Sequence, residues 1–116
     1  MKESEIQSDI LDLLLVHPKI AWCMAITTGF FKVRGGSITT GHYMTEDQER
    51  LTGMSDILGQ MRDGRLFACE VKVPGKEPTK EQYEFLDLVN RNGGFAIWAD
   101  SVEKVAERLK EDEGNE

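Results

Sequence analysis

The sequence predicts an α/β fold, a mixed central sheet flanked by helices on both faces. Three observations predict it. Apolar residues recur at helical spacing in three stretches, 3–16, 79–91 and 102–109. Two short apolar runs, 20–27 and 95–99, have the length and composition of strands. Between them, 53–61 and 66–72 are apolar runs separated by Arg62-Asp63-Gly64-Arg65, whose Asp-Gly pair supplies the positive φ of a tight hairpin turn.

Each element has its own signal. In 3–16, Ile6, Ile10, Leu13 and Leu14 make an apolar stripe, Ser4, Asp9 and Asp12 take other faces, and Pro18 ends the helix. Ile20 to Thr27 is almost continuously apolar, which predicts a strand buried on both faces. Thr28 to Arg50 is the least regular stretch. Gly29, Gly35, Gly36 and Gly41 punctuate it, and it reads as a hairpin or a mobile loop. Its aromatics and bases, Phe30, Phe31, Tyr43, Lys32 and Arg34, suit a loop that contacts nucleic acid and equally suit a surface hairpin packed on the core.

Pro74-Gly75-Lys76-Glu77-Pro78 is a connector. Thr79 and Gln82 have capping-box spacing, Tyr83, Phe85, Leu86, Leu88 and Val89 give the helix its apolar face, and Asn92-Gly93-Gly94 stops it. Phe95 to Ala99 reads as a buried strand. A cap signal at Asp100-Ser101-Val102-Glu103 opens the closing helix. Residues 1–110 therefore read as one domain, and 111–116 as an acidic, disordered tail.

Charge is misplaced in the central hairpin. Asp56 opens the first run, and Glu70 and Lys72 lie on one face near the end of the second, two residues apart. Closing the hairpin brings Asp56 beside Glu70 with Lys72 near both. Two carboxylates and an ammonium at the edge of an apolar sheet are costly to bury without a partner. A divalent cation such as Mg²⁺ suits them, since it binds through one or two carboxylates plus water and phosphate oxygens.

Asp followed by Glu-x-Lys on the next strand resembles the PD-(D/E)xK nuclease superfamily. Gly53-Met54-Ser55-Asp56, Glu70-Val71-Lys72 and the following Gln82 resemble, more narrowly, the VRR-NUC family of virus-type replication-repair nucleases. The resemblance spans the chain from the first helix to Asp100. It implies a restriction-endonuclease-like, Holliday-junction-resolvase-like core and a Mg²⁺- or Mn²⁺-dependent deoxyribonuclease of DNA replication or repair in the cytoplasm of a bacterium or a phage-infected host. Branched DNA or Holliday junctions would be its substrates. The implied metal site is Asp56, Glu70, the Val71 carbonyl and a first-helix glutamate. Glu3 shares the stripe of Ile6 and Ile10 and fits that role better than Glu5, though both also suit the positive end of a helix. Lys72 would orient the attacking water or stabilise charge on the phosphate. Gln82 would lie by the site, a role only partly compatible with capping because one amide has few donors.

Read singly, Asp56 is equally a turn residue, and Glu70 with Lys72 an exposed ion pair. The combination carries the resemblance. Two rival classes are a catalytically silent nuclease fold used for DNA binding or assembly, which a broken Asp/Glu/Lys set would mark, and a regulatory protein whose acids are surface charge. The net charge of −7 decides little, because the last 17 residues hold −4 of it and residues 28–82 are neutral. Cys23 and Cys69 read as reduced thiols in apolar runs, and His17 and His42 have no partner at ligand spacing. No run is long enough to span a membrane, and the N-terminus does not read as a signal peptide. Phe30, Phe31, Tyr43 and Met44 exceed what one small core needs, which predicts a homodimer.

Overall fold

In the computed structural model, the described residues are 1–26, 53–114 and the backbone of two short strands between them. The apolar stripe of the N-terminal segment forms helix α1, Glu3–Val16, burying Ile6, Ile10 and Leu14. The chain continues as β1 (Ile20–Ala25), β2 (Phe30–Val33), β3 (Gly36–Thr39), β4 (Ile57–Met61), β5 (Leu66–Val71), α2 (Lys80–Arg91), β6 (Phe95–Ala99) and α3 (Val102–Glu111).

The main sheet has the order β1-β4-β5-β6. β1 and β5 run antiparallel to β4, and β6 runs parallel to β5. That parallel pair needs a crossover, and α2 supplies it. β2 and β3 pair antiparallel as a separate ribbon, so part of the segment 28–50 is a hairpin. His42, Tyr43 and Met44, and the side chains of Phe30 and Phe31, lie outside the described residues, as does Thr27 at the end of the predicted first strand.

Side chains alternate across β5 and divide the core in two. Phe67, Cys69 and Val71 point to a layer built with Ile6, Ile10 and Leu14 of α1 and Val105 and Leu109 of α3. Ala68 points to the other layer, with Phe85, Leu86 and Val89 of α2 and Ala96 of β6. Burying each large apolar side chain contributes about 1.5–3 kcal/mol. Helices on both faces of a mixed sheet match the expected class.

One expectation needs correction. β1 is not buried on both faces: Ile20 is buried, whereas Trp22 and Met24 are 49 % and 54 % exposed. The apolar run misleads because β1 is an edge strand of this sheet, and α2 covers β5 and β6 instead. Within the predicted tail, Asp112 is tied to the rest of the chain. The Arg65 guanidinium donates to both Asp112 oxygens, at 2.9 and 2.6 Å, and Lys19 donates to the Asp112 carbonyl at 2.6 Å. Of the predicted tail, only Asn115 and Glu116 lie outside the described residues.

Candidate active site

The β4–β5 hairpin sets the site. At its turn Gly64 takes φ +97°, its N–H donates to the Met61 carbonyl at 2.9 Å, and Asp63 accepts from the Arg65 N–H at 3.1 Å. Gly64 alone carries the positive φ, so the turn is a type I turn closed by a left-handed glycine. The register pairs Ile57 with Cys69, which sets Asp56 opposite Glu70 one step further on, at the end away from the turn. Asp56 is tied to that end by both of its hydrogen-bonding groups. Its Oδ2 accepts from the Val71 N–H at 2.8 Å, and its carbonyl accepts from the Ile26 N–H at 2.7 Å.

Glu70 is the unusual residue. It is 1 % exposed, on the α2 side of the sheet where its neighbour two residues earlier is Ala68. Burial, first, and then the Asp56 carboxylate beside it push its pKa up to about 8; Lys72 pulls the other way, and Glu3 adds to the rise. Lys72 Nζ lies 3.6 Å from Oε2, and the Gln82 side-chain amide donates to the same oxygen at 3.3 Å. Oε1 is buried and, among the described residues, accepts no hydrogen bond. A carboxylate oxygen desolvated without a donor is costly, and such atoms in native proteins call for an explanation.

Gln82 resolves a question the sequence left open. Its Oε1 accepts from the Thr79 N–H at 2.9 Å, while Thr79 Oγ1 accepts from the Gln82 N–H at 3.2 Å, completing the capping box. The amide nitrogen is then left for Glu70. Capping and site contact are fully compatible, because one uses the acceptor end and the other the donor end.

Glu3, Asp56, Glu70, Val71, Lys72 and Gln82 thus converge on one end of the hairpin, with unequal closeness. Val71 enters through its N–H to Asp56. Glu3 is exposed and acts on Glu70 through its charge, whereas Glu5 is not among the groups that shift Glu70. Among the described residues, no three or more of His, Cys, Asp and Glu are gathered closely enough to hold a metal ion on their own. Asp56 and Glu70 form a pair, and a pair with one orphaned, charge-starved oxygen fits a hard cation that takes its other ligands from water and phosphate. The thiols stand apart: Cys69 is fully buried, its pKa raised by burial, and Cys23 is half-buried. His17 accepts from the Lys19 N–H at 3.1 Å, a local turn contact.

Three further neighbours shape the site; Gly53 and Ser55 belong to the Gly-Met-Ser-Asp motif, whereas Trp98 carried no sequence signal. A Cβ on Gly53 would overlap the Glu81 carbonyl, so only glycine lets the Asp56 loop rest on the first turn of α2. Ser55 is 1 % exposed, and its hydroxyl has no partner. Trp98 stands across from Glu70 in the β5–β6 register, an adjacency that no sequence spacing reveals. Comparisons of the chain with known protein families, with curated proteins and with solved structures each gave no match, so its residues and geometry alone carry the functional reading.

Proposed function

We propose that the chain is a Mg²⁺- or Mn²⁺-dependent deoxyribonuclease of the VRR-NUC type, hydrolysing phosphodiester bonds at the Asp56–Glu70 end of the hairpin. One observation carries the reading. Among the described residues, a buried glutamate is paired with an aspartate carboxylate, met on one oxygen by Lys72 and Gln82, and given no donor on its other oxygen. Buried polar atoms are rarely left without a partner, and a carboxylate oxygen that lacks one is a candidate ligand atom. The order helix, strand, hairpin, helix, strand is compatible with a restriction-endonuclease-like core and supports the same reading.

Asp56 and Glu70 would hold the metal, with the Val71 carbonyl as a further oxygen donor. A bound divalent cation polarises a phosphoryl oxygen and lowers the pKa of a bound water. The chain's own residues do the rest. Gln82 and Lys72 fix Oε2, so Glu70 cannot rotate away from Asp56. The Val71 N–H holds Asp56 at the end of β5. The Lys72 ammonium, 15 % exposed at its side chain, is placed to meet negative charge on a phosphate or to orient a water. Glu3 tunes the charge around Glu70.

Branched DNA is the substrate class this reading favours, and a homodimer, with two sites at fixed separation, would suit paired cuts. Incubation of plasmid, flapped and four-way-junction DNA with Mn²⁺ tests the activity, and light scattering tests the assembly. Cleavage of none of the three DNAs refutes the nuclease. A fully active monomer refutes the paired-site arrangement alone.

A further inference from the structure

A second cation is held over Trp98, the residue that pairs with Glu70 across the sheet. Lys104, in the first turn of α3, holds its ammonium 3.6 Å from the centre of the Trp98 ring. Trp98 pairs with Glu70 across the parallel β5–β6 ladder, so the two residues stand about one strand spacing, ~5 Å, apart at the backbone and on the same face of the sheet. The Trp98 ring packs against the α2 layer, which fixes the ring and with it the ammonium.

Several of the described cations are held by carboxylates, and Lys104 is among those that are not. Lys72 is paired with Glu70, Arg65 with Asp63 and Asp112, Lys80 with Glu84, and Arg91 with Asp87. Among the described residues, Lys104 has no carboxylate at ion-pair distance, although Glu103 and Glu107 share its helix. A ring face attracts a cation without neutralising it. The ammonium is thereby held in one place with its charge intact.

The site needs such a charge. Glu3, Asp56 and Glu70 face a single lysine there, and a polyanionic strand must approach them. From this juxtaposition we infer that Lys104, positioned by Trp98, binds a backbone phosphate next to the scissile one and orients the strand over the Asp56–Glu70 pair. The inference rests on the nuclease reading and deepens it by assigning a substrate-positioning residue outside the Asp/Glu/Lys motif.

The test measures binding apart from cleavage. Anisotropy of a labelled duplex oligonucleotide in EDTA, over about 50–200 mM salt, gives the slope of log K against log salt, which changes by about 0.9 for each phosphate contact on duplex DNA. Lys104→Met keeps the stem on the Trp98 ring and removes the charge. It should lower the slope by about 0.9 and weaken binding roughly six-fold at about 0.1 M salt. With Mn²⁺, KM should rise by a similar factor with kcat within about two-fold, since uniform binding is lost. Lys104→Arg should restore both, because guanidinium also stacks on aromatic faces. Lys110→Met, the same charge change further along α3, should leave the slope unaltered.

If the wild-type protein binds and cleaves DNA but Lys104→Met behaves as Lys110→Met does, the role of Lys104 is refuted and the nuclease stands. If the wild-type protein neither binds nor cleaves DNA, both readings fall together.

Discussion

The two ends of the β4–β5 hairpin carry charge in opposite ways. At the turn end, Arg65 bonds Asp63 and Asp112 at 2.6–2.9 Å, and its guanidinium stands over the Phe95 ring. Those charges satisfy one another: the Arg65 hydrogen bonds hold Asp112 below the usual carboxylate range. At the other end, Glu70 is pushed up to about 8, and one of its oxygens meets no donor among the described residues. The same strands support both clusters, so neither location nor sequence distance accounts for the difference. One end closes the structure, while the other is held short of positive charge, as binding and catalytic sites commonly are.

The largest effects should come from removing a carboxylate at the unsatisfied end. Asp56→Asn and Glu70→Gln should each reduce DNA cleavage by at least about 1,000-fold while the circular dichroism spectrum stays native. Near-wild-type rates in both variants would break the comparison, because the acid pair would then be no more functional than the turn-end cluster. Lys72→Ala should lower turnover by about 100-fold with metal affinity nearly kept. Lys72 also opposes the rise of the Glu70 pKa, so the metal titration belongs at about pH 9, above the point where Glu70 ionises. A large loss of affinity there with turnover preserved would make Lys72 structural.

Stability against pH separates the two ends without any assay of function. The folded pKa of Glu70 lies above its ordinary 4.5, so the folded state binds the extra proton. In EDTA its contribution should be fully present at low pH and lost as pH rises from about 4.5 through 8. Glu70→Gln should flatten that arm, raising Tm at about pH 9 and changing little at about pH 5. Asp112 has the opposite sign. Its depressed pKa stabilises the fold above the ordinary carboxylate pKa, and the effect fades as pH falls through the folded value. Arg65→Met should remove this contribution and cost about 2 kcal/mol, between a surface pair and a buried one. Cleavage measured below the lowered Tm should be unchanged. If it falls in step with stability, the two ends are coupled, and the contrast between them fails.

Much of this layout was legible in the sequence, for a physical reason: local periodicity and punctuation determine helices and hairpins. The bounds of α1 follow from its apolar stripe and Pro18, those of α2 from Thr79 and Asn92-Gly93, and the hairpin register from the short turn around Gly64. That register brings Asp56 opposite Glu70. What could not be read depends on contacts between distant elements. The exposed face of β1 follows from its place at the sheet edge, the pinning of Asp112 from Arg65 some 47 residues away, and the adjacency of Trp98 and Glu70 from the parallel β5–β6 pair. Gln82 was half legible. Its cap is local, whereas its bond to Glu70 depends on how α2 docks on β5.

The smallest predicted effect concerns the first helix, where two glutamates compete for one role. Glu3 and Glu5 both lie in the first turn of α1, and each should gain about 0.3–1 kcal/mol from the helix dipole. Only Glu3 is among the groups that raise Glu70. Glu3→Gln should therefore lower the pH at which Glu70 ionises, and reduce cleavage by less than about 10-fold. Glu5→Gln should share the small loss of helix stability and leave the Glu70 midpoint in place. The midpoint can be read in EDTA from the pH dependence of Tm, so it reports on charge coupling even where the cleavage effect is slight. Equal shifts in the two variants would return both residues to the helix dipole. They would also confine the functional end of the hairpin to Asp56, Glu70, Lys72 and Gln82.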